Sequence, residues 1–199
     1  MIAGASESEK TMILENSLIG VEQEPSMFAL AVSNMILRGD GKTNLYQGSC
    51  FDEEIIREIK KKQSTAGFIN PPYSQKGDDQ HEWNYVINLL DALQKNAIGI
   101  VIVPMSLAIA KHPLREQLLK EQRLGAVTSM PNDLFYPVGV VSCSMVFTAH
   151  TPHDSDEHHE SWFGYWKNDG FRKDRVEGRM PTERWQKIRE EWLDIYRRK

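Results

Sequence analysis

The chain predicts an α/β fold, with a mostly parallel sheet carrying helices on both faces. Three observations predict it. Apolar runs of strand length alternate with amphipathic stretches of helix length from residue 7 to residue 148. The strongest pair is the amphipathic stretch 82–95 followed by the continuous apolar run Ile98–Val103, which reads as a helix feeding a buried strand. Finally, two of the runs end in polar or proline-rich turns, Glu22-Gln23-Glu24-Pro25 and Asn70-Pro71-Pro72-Tyr73. The carboxyl ends of strands are where open α/β sheets bind ligands.

Residues 7–15 form a short predicted helix, with Ser6 as N-cap and Glu9 three positions on, a capping-box pattern. Leu18–Glu22 is a strand ending in an acid. Pro25 falls where a first helical turn tolerates proline. Met27, Leu30, Ala31, Asn34 and Met35 recur at helical spacing, and Gly39 stops that helix. Leu45–Gln47 is a short strand, 52–63 a charged helix, and Ala66–Ile69 the strand that runs into Asn70. Residues 74–80, polar and holding a glycine, read as a mobile loop. In the 82–95 helix Tyr85, Val86, Leu89, Leu90 and Leu93 share one face. A charged helix at 113–123 and strands at Ala126–Ser129 and Ser142–Thr148 complete the pattern.

After His150 the composition changes. Residues 1–150 read as the core, and 151–199 as a loop-rich excursion with a C-terminal amphipathic helix. That helix carries Trp185 and Trp192, with Ile188 and Ile195 similarly spaced, as a docking face. His150, His153, His158 and His159, interleaved with Asp154, Asp156 and Glu157, match no zinc spacing and have no cysteine nearby, so they read as a flexible surface loop and no metal is expected.

The 199 residues suffice for one domain with an appendage. A net charge of −4 argues against wholesale coating of nucleic acid but permits a local basic face. Lys76, Arg172, Lys173, Arg175 and Arg179 are candidates to touch phosphate. Cys50 and Cys143 are far apart and form no ligand pair, which suggests a reducing cytoplasm. The N-terminus shows no basic-plus-apolar signal. No apolar run approaches the ~18 residues of a membrane span, so no membrane partner is expected.

Asn70-Pro71-Pro72-Tyr73 is the most informative segment. Two consecutive prolines continue neither a strand nor a helix, so the chain turns sharply there. The Asn70 carboxamide oxygen can accept a hydrogen bond from an exocyclic amine, and the Pro71 carbonyl can accept a second. The Tyr73 ring can stack on a planar base. Together they suit a planar substrate bearing an NH2 group, such as adenine. The plain alternative is an Asn-Pro turn with Tyr73 packed in a core.

The tetrapeptide resembles the catalytic motif of amino-methylating, S-adenosylmethionine-dependent methyltransferases. Two longer segments sharpen the resemblance: Leu18–Pro25 with Ala29–Gly41, and Met130–Val140. Both resemble the modification subunits of type I restriction-modification systems and related N-6 adenine DNA methyltransferases. The likeness spans about residues 18–180.

The resemblance implies a Rossmann-like methyltransferase sheet, S-adenosylmethionine as donor and a flipped-out adenine in duplex DNA as acceptor. It assigns catalysis to Asn70, Pro71, Pro72 and Tyr73, and places Phe135 as a second ring gripping the base opposite Tyr73, with Tyr136 as fallback. Glu22 takes the place of the ribose-binding acid. Gln23 and Pro25 line the same loop, and Ser49 and Cys50, with Asn70, complete the cofactor set. Ser49 stands where the family usually has an acid, and Asp52 is the nearest substitute.

The family's glycine-rich loop, which follows its first strand, belongs upstream of Leu18. Only Gly4 and Ala5 offer a remnant, and no apolar strand precedes them. The chain is therefore expected to lack its first strand and to be weak or inactive alone. Sequence-specificity and restriction subunits are the implied partners, with room for a homo-oligomer. Two other readings stay open: a non-catalytic module of the same fold that binds DNA or a restriction partner, and an RNA or protein-glutamine methyltransferase.

Overall fold

The computed structural model describes Gly4 and residues 6–39, 44–73, 81–135, 139–174 and 176–198. The expected mobile loop 74–80 with Lys76, and Ala5, Tyr136 and Arg175, lie outside the described residues. The chain divides into two compact units, Met1–Gln63 and Ser64–Lys199. Among the described residues no helix is long and apolar enough to cross a membrane.

The first unit begins with α1 (Glu7–Asn16), closed by the capping box that its sequence predicts: Ser6 Oγ accepts from the Glu9 N–H, and the Glu9 carboxylate accepts from the Ser6 N–H at 2.8 Å. Strand β1 (Gly20–Glu22) pairs in parallel with β2 (Leu45–Gln47), Glu22 opposite Gln47. Helix α2 (Pro25–Arg38) connects them, with Pro25 in its first turn. It stops at Gly39, whose φ of 76° is the left-handed cap that glycine adopts without a Cβ penalty. Helix α3 (Glu53–Lys61) starts under Asp52 and has acids in its first turn and lysines in its last, matching the helix dipole.

The second unit holds a five-stranded sheet in the order β3-β4-β6-β5-β7. These strands are β3 (Ala66–Ile69), β4 (Ile98–Pro104), β5 (Arg123–Ser129), β6 (Ser142–Thr148) and β7 (Trp162–Tyr165). The α/β expectation holds, but the sheet is mixed. β3–β4 and β5–β7 are parallel, and β6 runs antiparallel to both β4 and β5. Among the described residues of 130–141 there is no helix to carry the chain back across the sheet, and β6 returns antiparallel.

Helix α4 (Glu82–Ala92) lies on one face and buries Trp83, Val86 and Leu90. A facing glycine pair, Gly67 on β3 and Gly99 on β4, lets it sit close. A Cβ on Gly99 would come within 2.2 Å of Leu90 Cδ2, and one on Gly67 within 2.9 Å of Leu89 Cδ1. Helices α5 (Met105–Ile109) and α6 (Pro113–Glu121) follow β4, and Leu107 and Leu118 join the same core. The run in β4 that reads as wholly buried is buried only on this side: Val101 and Val103 are inaccessible, while Ile98 and Ile100 are exposed. An unbroken apolar run does not reveal whether both faces are covered.

Residues 151–199 are more structured than an excursion. β7 adds to the main sheet beside β5. β8 (Phe171–Asp174) and β9 (Gly178–Pro181) form a hairpin, followed by α7 (Trp185–Arg197). Trp162 on β7 lines up through Ala126 and Val146 with Ile100, so it points away from α4. There Trp192 and Tyr196 of α7 meet it edge-on at 5.4 and 5.3 Å, which puts a helix on the second face. The docking face of α7 is Trp185, Ile188, Trp192 and Tyr196, whereas Ile195 is exposed.

The histidine-rich segment is anchored, in contrast to the flexible loop expected. His153 Nδ1 accepts from the Leu124 N–H, His159 Nε2 donates to the Leu124 carbonyl at 2.8 Å, and His150 Nε2 donates to the Leu93 carbonyl at 2.9 Å. Imidazoles that hydrogen-bond backbone are used as staples, a role that spacing alone does not signal.

Candidate active site

Both candidate half-sites sit at the carboxyl ends of strands. In the first unit Glu22 closes β1, and its Oε1 accepts from the Glu24 N–H at 2.8 Å, which orients the carboxylate. Glu24 in turn caps α2 by accepting from the Met27 N–H at 2.7 Å. Gln23 and Pro25 are exposed on the same turn. The Gly48 N–H donates to the Glu22 carbonyl at 3.0 Å, which binds the end of β2 to the end of β1. Ser49 and Cys50 follow directly, both half-buried, and Ser49 Oγ accepts from the Phe51 N–H at 3.1 Å. Glu22, Gln23, Pro25, Ser49 and Cys50 thus belong to one strand-end platform. Asp52, the nearest substitute acid, caps α3: its Oδ1 accepts from the Glu54 and Ile55 N–H groups.

In the second unit Asn70 follows β3 and is exposed, Pro71 is buried, and Pro72 is exposed. The double proline ends pairing, and β3 delivers the carboxamide outward. Tyr73 is half-buried and meets Phe135 edge-to-face, with ring centroids 6.1 Å apart at 89°. Tyr73 and Phe135, widely separated in sequence, are therefore brought together. A base held between two parallel rings needs them roughly 7 Å apart, two contacts of ~3.5 Å each. The edge-to-face pair leaves no such slot, so one ring must turn to admit a planar ligand.

The Tyr73 phenol is buried without a hydrogen-bond partner among the described residues. Burial raises it above its ordinary value of 10, with Cys143 and Glu82 adding to the shift. Burial likewise pushes the Cys143 thiol up to about 11, which leaves it protonated and unreactive at neutral pH. Because burial disfavours the ionised phenol, stability is expected to fall as pH climbs above 10 and Tyr73 is driven to ionise. Tyr73→Phe deletes the orphan hydroxyl and is expected to raise stability in urea unfolding by about 1 kcal/mol. A loss of stability would show that the hydroxyl is satisfied in solution.

Phe135 lies in the turn that also carries Asp133, and Asp133 meets a cation cluster missing from the sequence reading. Arg179 Nη2 reaches both oxygens of Asp169, at 2.9 and 2.8 Å, and Asp133 Oδ1 at 3.4 Å. Lys173 Nζ lies 4.0 Å from Asp133 Oδ2. Arg179 is thus no free phosphate contact: its side chain is 13% exposed and engaged with carboxylates. Nothing in the local sequence distinguishes it from a solvated arginine. Among the described residues no His, Cys, Asp and Glu group could hold a metal.

Over residues 2–197 the sequence matches the profile of a family described as N-6 DNA Methylase. It is 33% identical over 162 residues to the type II restriction enzyme and methyltransferase RM.BcgI of Heyndrickxia coagulans, covering 76% of this chain and 25% of that protein. The fold resembles a modification subunit of a putative type I restriction enzyme from Vibrio vulnificus, with a TM-score of 0.74 at 16% identity over all of this chain and 45% of that one. It also resembles a putative class I S-adenosylmethionine-dependent methyltransferase from Listeria monocytogenes, with a TM-score of 0.61 at 11% identity over 75% of this chain and 49% of that one. The architecture is that of S-adenosylmethionine-dependent methyltransferases. The chain spans a quarter of the curated relative's length and under half of these structures.

Proposed function

The chain belongs to the N-6 DNA methylase family, and from that premise we propose that it is the catalytic region of a restriction-modification DNA methyltransferase, moving a methyl group from S-adenosylmethionine to the exocyclic amine of adenine in duplex DNA. The observation that carries this reading is the exposed Asn70 carboxamide at the end of β3, two prolines ahead of a tyrosine that meets Phe135.

The adenine amine is conjugated with its ring and is a poor nucleophile. Two acceptors, Asn70 Oδ1 and the Pro71 carbonyl, bind its two N–H groups and stabilise positive charge as it develops on nitrogen. Tyr73 stacks on the extruded base and Phe135 grips the opposite face once the rings part, offsetting the cost of unstacking it from the duplex. Because burial keeps the phenol neutral, Tyr73 acts as an aromatic surface and not as a base.

The cofactor suits the first unit's platform. The Glu22 carboxylate, held through one oxygen by the Glu24 N–H, retains lone pairs for a ribose diol. Gln23, Pro25, Ser49 and Cys50 border the adenosine. When bound, S-adenosylmethionine supplies an electrophilic methyl group. Sequence-specificity and restriction subunits are the proposed partners that bring the target DNA.

Calorimetry with S-adenosylmethionine tests the cofactor half of the reading. Micromolar binding is expected, weakened about 10- to 100-fold in Glu22→Ala, since hydrogen bonds to a charged group contribute about 1.5–3 kcal/mol. Unchanged affinity in the variant would remove Glu22 from the site. For the substrate half, DNA incubated with labelled cofactor is digested to nucleosides. N6-methyladenine supports the proposal, and label found only in RNA or protein overturns it.

A further inference from the structure

The β8–β9 hairpin reaches the turn that carries Phe135. Arg179 and Lys173 are directly opposite each other across this hairpin, and both reach Asp133, two residues before Phe135. The hairpin is itself a firm support. Asp169, 6% exposed, receives Arg179 and also accepts from the Phe171 N–H at 3.1 Å. The Arg179 guanidinium lies over the Phe171 ring at 5.2 Å, and Phe171 meets Trp185 of α7 edge-on at 5.1 Å. Gly170 takes a φ of 79°, and a Cβ there would come within 2.6 Å of the Trp185 backbone, so the turn and the start of α7 touch closely. Thr182 completes the joint by donating to the Gly170 carbonyl through its hydroxyl at 2.6 Å.

Among the described residues, the Asp133 carboxylate accepts no hydrogen bond from its own turn. Asn132 beside it is exposed, and Leu134 and Phe135 are half-buried. A cation nearly out of water is a strong anchor for such a carboxylate, because solvent screens it little. A guanidinium shared between two carboxylates also has one preferred placement, so moving either acid moves the other's partner.

We propose that Arg179, with Lys173, is a positioning residue: through Asp133 it sets the 131–135 turn and thereby the approach of Phe135 to Tyr73 that captures the base. The proposal rests on the reading of Phe135 as a base-gripping ring. It makes residues 167–185 part of the catalytic apparatus. Any partner that shifts the hairpin would thereby shift base capture.

The test uses the full chain labelled with 4-fluorophenylalanine, with the Phe135 fluorine resonance assigned through Phe135→Leu. Asp133→Asn keeps the turn's shape and leaves the Arg179–Asp169 pair whole, so it is expected to fold. It should move the Phe135 resonance and leave those of Phe28 and Phe147 in place. Arg179→Lys, which retains charge without the guanidinium fork, should move the same resonance less. In methyl transfer, KM for DNA should rise about tenfold in Asp133→Asn with KM for S-adenosylmethionine unchanged, the mark of a misplaced binding group. An unmoved Phe135 resonance overturns the proposal, and so does a moved resonance with unchanged KM for DNA. If the unsubstituted chain methylates RNA or protein and not adenine, the functional reading fails, and the resonance still decides whether Asp133 positions Phe135.

Discussion

Replacing Asn70 with alanine is expected to lower the single-turnover rate of methyl transfer about 10²–10³-fold, the cost of removing one preorganised group that stabilises transition-state charge. The geometry makes the expectation specific. Asn70 stands exposed at the end of β3, where its only evident structural duty is to lead into Pro71. Removing the carboxamide therefore leaves the fold intact. Unfolding by urea should match the unsubstituted chain to about 0.5 kcal/mol, as for other exposed positions. S-adenosylmethionine should still bind. Enzyme in excess over DNA allows even slow transfer to be timed. A variant that transfers methyl at the original rate would remove Asn70 from the chemistry. One that also fails to fold would make it a structural residue.

The largest effect on stability is expected from Trp83→Ala. Trp83 is completely inaccessible and opens α4, the helix that lies over Gly67 and Gly99 and so holds β3 in place. Truncating a buried tryptophan leaves a cavity in the core cluster it shares with Val86, Leu107 and Leu118, at about 3–5 kcal/mol. The thermal midpoint should fall by roughly 10 °C, taking 2–4 °C per kcal/mol for a domain of this size. Leu193→Ala, at a partly exposed position on α7, serves as the control and should change stability by less than about 0.5 kcal/mol. Circular dichroism through a urea titration distinguishes the two. A Trp83→Ala midpoint equal to that of Leu193→Ala would mean that the core around α4 repacks freely. The effect should reach function too, since the strand that α4 supports delivers Asn70.

Both experiments probe the same dependence of site on scaffold. The motif is only four residues long, and its usefulness depends on where β3 ends and on what Tyr73 meets. The glycine pair beneath α4 sets the first. The turn carrying Asp133 and Phe135 sets the second, and that turn is tied to a hairpin more than thirty residues further along the chain.

The sequence by itself determined the local events. The Ser6–Glu9 capping box, the Gly39 stop, the Pro25 start, and the strands at 45–47, 66–69 and 142–148 are decided by neighbouring residues, and each stands where the pattern predicts. So does the alternation that predicts an α/β fold, and the resemblance to the N-6 DNA methylase family is legible in the sequence as well. Tertiary structure decided what depends on partners distant in sequence. The antiparallel course of β6 depends on its pairing with β4 and β5, strands remote or reversed in the chain. The addition of β7 to the sheet and the exposure of Ile98 and Ile100 depend on what packs across each face. The histidines became backbone staples because Leu93 and Leu124 offer them hydrogen bonds. Arg179 became an anchor because folding places Asp169 and Asp133 beside it and removes most of the water. Hydrophobic period and turn chemistry are short-range and can be read along a chain. Charge pairing and face coverage are settled only when remote segments meet.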